Sequence, residues 1–137
     1  MPMSVPTIPW PPPWGFTTMH TYLLLLHEHP ADSAAISAAQ LQDIIQRHQA
    51  WAGELAARGL LAGGEKLCDD GGRQLRLQQG QVLVSDGPYA EAHDVIGGFY
   101  LIKADDDAAA ERLARECPHL EGRQWIEMRR IDALGAA

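Results

Sequence analysis

The run Thr21-Tyr-Leu-Leu-Leu-Leu-His27 limits the possible folds more than any other part of the chain. It reads as a strand with Tyr22, Leu24 and Leu26 on one face and Leu23, Leu25 and His27 on the other. A strand apolar on both faces needs cover on both. The rest of the chain must supply that cover, and 137 residues suit one domain better than two.

Downstream segments fall into order around this strand. Ser37 is an N-cap candidate for a helix reaching about Arg58, with Leu41, Ile44, Ile45, His48, Trp51 and Leu55 recurring on one face. Gly59 suits the position after its end. Leu60 to Leu67 reads as a second strand, in which Gly63-Gly64 marks a bulge or a close backbone approach. Gln74 to Gln78 and Gln81 to Ser85 alternate around Gly80, as a hairpin does, and Asp86-Gly87-Pro88-Tyr89 is a turn. Val95 to Lys103 is the next strand, with Phe99 and Leu101 on one face and Tyr100 and Ile102 on the other. Asp105, Asp106 and Asp107 place negative charge at the start of a second helix, which Pro118 stops. Arg123 to Ile131 alternates as a last strand.

This order predicts an α+β fold: a ferredoxin-like βαββαβ unit with an inserted β-hairpin. Two helices cover one sheet face. The other carries Trp125 and apolar rows from two strands, too much to leave in water. A second copy packed face to face would bury it, so the expected assembly is a homodimer, a dimeric α+β barrel. Residues 1–18 differ in kind: six of the nine prolines lie in the first thirteen positions, interleaved with Trp10 and Trp14. They read as an extension, either a loose tail or a polyproline arm that docks its aromatics. The expected domain spans 19–132, with a C-terminal tail at 133–137.

Composition excludes several function classes. Eighteen acidic against eleven basic residues give a formal charge of −7, which argues against a nucleic-acid surface. No apolar run is long enough for a membrane span, and no secretory leader pattern is present, so the expected location is cytoplasmic. Two cysteines are too few for a disulfide framework. The chain has no P-loop, dinucleotide fingerprint or nucleophile elbow. No cofactor is expected. His27 and His29 flank Glu28, but no second cluster at helical histidine spacing accompanies them, and no metal is assigned. His20, His93 and His119 read as surface residues.

The residues that could carry chemistry are few. His48 lies mid-helix on the apolar face. It is either a core histidine or a general acid/base tuned by burial. Asp86 either closes an Asx-turn or serves as the partner of His48. Trp51 and Tyr89 would be apolar walls of the pocket; Tyr89 and Glu91, on the same loop as Asp86, either line that pocket or are surface and packing residues. Glu127 shares a strand face with Trp125 and Arg129 and is either a polar filler of the inter-sheet space or the ion-pair partner of Arg129 at a dimer seam.

Ser85-Asp-Gly-Pro-Tyr-Ala-Glu-Ala-His-Asp-Val-Ile-Gly-Gly-Phe-Tyr-Leu-Ile-Lys-Ala104 resembles the signature of the DGPF domain, a branch of the YCII-related proteins. Met19-His-Thr-Tyr-Leu-Leu-Leu-Leu-His-Glu28, Gly59-Leu-Leu-Ala-Gly-Gly-Glu-Lys-Leu67 and Ile126-Glu-Met-Arg-Arg-Ile131 are similar to other strands of that family. Tyr89 stands where the name-giving tetrapeptide has Phe, His93 stands in place of Lys, and residues 1–18 have no counterpart. The resemblance implies a dimeric α+β barrel. Because a related YCII-type protein is a dehydrochlorinase with a His-Asp pair, it also implies a lyase-type reaction on a small organic acid, with His48 and Asp86 catalytic. Glu65 resembles a family Glu and joins the ligand-binding set of Trp51, Tyr89 and Glu91. DGPF members often accompany ECF sigma factors, so the alternative is a non-catalytic small-ligand-binding or regulatory module associated with a sigma factor.

Overall fold

The computed structural model describes residues 19–87 and 94–134. The Pro-rich stretch at 1–18, and Tyr89, Glu91 and His93, lie outside the described residues. Strand β1 (His20–Glu28) is followed by a short helix α1 (Pro30–Ala34), a long helix α2 (Ala38–Ala57) and strand β2 (Leu61–Lys66). A hairpin of β3 (Arg73–Gln78) and β4 (Gln81–Asp86) leads to β5 (Val95–Ala104), helix α3 (Asp107–Arg115) and β6 (Trp125–Arg130). The four long-range strands form an antiparallel sheet in the order β2-β5-β1-β6, with the hairpin as a separate two-stranded ribbon. This is the expected α+β fold. The doubly apolar β1 takes a central place, where both its edges are paired.

Local chemistry sets the boundaries. The Ser37 hydroxyl accepts from the Gln40 backbone N–H at 3.2 Å, while the Gln40 side chain accepts from the Ser37 N–H at 2.8 Å. This reciprocal pair satisfies two donors that helix geometry orphans. Asp106 caps α3 by accepting from Ala109 N–H at 2.8 Å. The ribbon turns at Gln79-Gly80, both at positive φ, a turn whose twist matches paired strands. Helix α1 is absent from the sequence-based expectation. Pro30 supplies the fixed φ of its first turn.

Tyr22, Leu24 and Leu26 from β1 meet Ile102 and Ala104 from β5 and Trp51 and Leu55 from α2. Ala110 and Ala114 let α3 approach the sheet closely. Leu23, Leu25, Phe99 and Leu101 occupy the opposite register and point away from both helices. No helix among the described residues is long and apolar enough to cross a membrane.

Candidate functional site

Three glycines open a space between the sheet and α2. In β2, Gly64 lies opposite Tyr100, and a Cβ there would stand 2.6 Å from the tyrosine ring. In β5, Gly97 sits at a register shift, and a Cβ on it would overlap the Glu28 carboxylate. Gly98 passes under Leu26 and the Glu65 carbonyl. Side chains removed at these positions leave a cleft of about 590 Å³, within the usual range for small-molecule sites. Ile36, Leu41, Ile44 and Ile45 form its apolar wall, and His48, Tyr100, His119 and Glu28 bring polar groups into it.

The periodicity of α2 carries His48 to this cleft. Its Nδ1 is 2.8 Å from the Tyr100 hydroxyl, and the rings lie nearly parallel, 5.9 Å apart. Trp51, one turn on, is buried and packs edge-on against Tyr100 at 4.9 Å. It does not line the cleft; it fixes the ring that does. Burial pushes the Tyr100 phenol up to about 12, and burial, then the His119 and Arg47 charges, hold His48 below its ordinary value. Desolvation penalises the charged form of each group. Near neutrality the pair therefore consists of a phenol and an uncharged imidazole.

His119 corrects the expectation of a surface residue. It is 5% exposed, and its Nε2 is 2.8 Å from the His27 carbonyl. A carbonyl only accepts, so that nitrogen carries the proton. Its ring stands edge-on to His48 at 6.5 Å. Burial lowers its pKa, while the His27 carbonyl and the Glu28 carboxylate act in the opposite sense. Arg47, held within α2 by Asp43 at 3.0 Å, ties this loop to the helix through Glu121 at 3.2 Å. Arg123 ties it to α1 through both Asp32 oxygens, at 2.7 and 3.0 Å.

The two depressed histidines set a sign for acid stability. The unfolded chain binds protons on them near pH 6.5, whereas the folded chain binds them only at lower pH. Between those limits the unfolded state holds more protons, so stability falls as pH falls. We expect the thermal midpoint to drop between pH 7.5 and 5.5. That drop should shrink in a His48→Phe, His119→Gln double variant. A midpoint that rose on acidification in the unmodified protein would contradict the burial argument.

The other sequence-derived candidates scatter. The structure does not bring Asp86 to His48: its side chain is 95% exposed at the end of β4, 3.9 Å from Arg73 of the paired strand. Glu65 borders the cleft but stands opposite Phe99, in the register that points away from Tyr100. Glu127 pairs with His27 at 3.3 Å rather than with Arg129, and His27 stacks on Trp125 at 3.8 Å. That cluster belongs to the sheet face turned away from the helices. His29 pairs with Asp94 at 3.2 Å. Among the described residues, no group of three or more His, Cys, Asp or Glu side chains could hold a metal ion.

Tyr100, His119 and Glu28 were missed from the sequence as site residues. Alternation in β5 already places Tyr100 on the helix-facing side, where its hydroxyl needs a partner. Glu28 follows Leu24 and Leu26 on the inward row of β1.

The model of the YCII-related domain matches residues 20–131. Comparison with curated proteins gave no match.

Proposed function

The chain belongs to the YCII-related domain family, and on that premise we propose that it is a cofactor-free proton-transfer enzyme of lyase type. Its acid/base unit is His48–Tyr100, not a His-Asp pair. The 2.8 Å contact between two groups that burial keeps uncharged carries this reading. When Nδ1–H donates to the phenol oxygen, Nε2 is a free base and the tyrosine O–H is a free acid. Nε2 takes a proton from a substrate carbon while the phenol gives its own to a leaving group or carbonyl oxygen. The Nδ1 proton then restores the phenol. The imidazole ends as its other tautomer, so neither group has to hold a charge that its surroundings disfavour. In an elimination the C–H and C–X bonds break, a C=C bond forms, and X leaves with the phenol proton.

The test is proton exchange. Cyclic ketones and lactones are incubated in D2O with the protein, and loss of the α-proton signal is followed by NMR. We expect exchange above the buffer rate, abolished by His48→Phe. Exchange that persists in that variant, or none with any compound, would refute the reading.

The alternative, an interaction module whose partner is a sigma factor, draws support from the hairpin. Leu75 and Leu77 face Val84 and Val82 across the ribbon, at 66% and 73% exposure for the two leucines. An isolated two-stranded ribbon is marginal in water, and an apolar face on it favours a covering surface.

A further inference from the structure

Two carboxylates that line the cleft, Glu28 and Glu65, have no counter-charge among the described residues. Lys66 lies 3.1 Å from Asp69, and Arg47 holds Glu121. Glu65, opposite Phe99, is exposed at the border of the cleft. Glu28 has no hydrogen-bond or ion-pair partner among the described residues, yet it is partly buried in the inward row of β1. Gly97 is what admits it, since any Cβ at that position would collide with the carboxylate. A carboxylate partly removed from water and left unpaired is costly, and the cost is relieved when a cation arrives. His119 is the nearby group that could supply one, but its Nε2 is committed to the His27 carbonyl and it sits 95% out of solvent. The cleft thus presents a fixed negative charge, an aliphatic wall and an uncharged acid/base pair.

We infer that the cleft takes a small ligand with a protonated amine on an apolar body, with Glu28 as its counter-ion. The inference rests on the cleft being the ligand site and deepens that reading by naming the ligand class. The aliphatic wall from Ile36 to Ile45 takes the body, and the amine reaches the carboxylate beside Gly97. A carboxylic acid, the class the family resemblance implies, would meet Glu28 as a like charge. It would find no cation lining the cleft except Lys66, which is already paired.

The experiment compares three probes with the same ring and similar size, benzylamine, benzyl alcohol and benzoate. Each is titrated into the full chain at pH 7.5 and followed by amide NMR. Benzylamine should give saturable shifts at Gly97, Gly98 and His48, and should bind at least about tenfold more tightly than benzoate. Glu28→Gln should remove about tenfold of the benzylamine affinity, equivalent to about 1.4 kcal/mol. It should leave benzyl alcohol within about twofold, since a neutral ligand makes no ion pair. Benzoate binding as tightly as the amine overturns the inference, and the comparison needs only the unmodified protein. Equal binding of amine and alcohol at the cleft, unaffected by Glu28→Gln, also overturns it while leaving the cleft as a ligand site. Saturable shifts with none of the three probes defeat the inference and the cleft reading together.

Discussion

Tyr100→Phe should cost as much proton-transfer rate as His48→Phe, roughly 10²- to 10⁴-fold, the usual contribution of a positioned acid or base. The substitution removes one oxygen from a ring held by Trp51 and by the glycine opposite it, so the fold should persist. What it removes chemically is larger. Nδ1 of His48 loses its partner at 2.8 Å, and the cleft loses the acid that replaces the proton taken by Nε2. An imidazole acting alone would have to become imidazolium in a place where burial disfavours it. The double variant should be no slower than either single one, because two residues working as one unit lose their function together. Exchange rates of the three variants on one ketone test this. A Tyr100→Phe protein that keeps more than about half its rate would show that His48 works without the phenol.

Much of the fold was legible because it follows from short-range rules. Alternation over Tyr22–Leu26 gave the central strand, and Ser37 followed by Gln40 gave the start of α2. The Asp cluster before Ala108 gave the start of α3, and Gly80 marked the hairpin turn. The site was legible only where a residue shares in such a pattern. His48 could be placed on the apolar face by helical spacing alone. His119 could not, because it lies in a loop without period and is buried by the His27 carbonyl, 92 positions away. Asp86 drew attention through its turn sequence, a local signal that says nothing about where the ribbon sits relative to α2. Glu127 was matched to Arg129 on its own strand, whereas the pairing partner of Trp125 on β1, His27, brings its ring within reach of Glu127. In each miss a contact across the sheet or along a distant loop outweighed a neighbour in sequence.

A homodimer near 30 kDa, twice the 15.0 kDa chain, is expected by light scattering at micromolar concentration, and Leu25→Asp should reduce it to the single-chain mass. The argument starts from the register. Leu23 and Leu25 stand beside Leu101 and Phe99, and the row continues through β6 to Glu127 and Trp125. These side chains point away from α2 and α3, so the cover that β1 needs on its second face has to come from outside the sheet. The rim is polar, with Lys103 and Arg129 in the same register and Glu127 held by His27, which matches the apolar centre and charged border of stable interfaces. Two sheets meeting face to face should bury more than about 1,000 Å². Two-fold symmetry puts Leu25 of both copies in the same interface, so a single substitution inserts two carboxylates. Each would lie in an apolar layer without a partner, at a cost of roughly 3–5 kcal/mol for an uncompensated buried charge. That is enough to weaken association by about a thousandfold or more. The helix-facing core is untouched by this change, so far-ultraviolet circular dichroism should be unaltered. A mass of one chain for the unmodified protein at micromolar concentration would show that something other than a second copy covers this face.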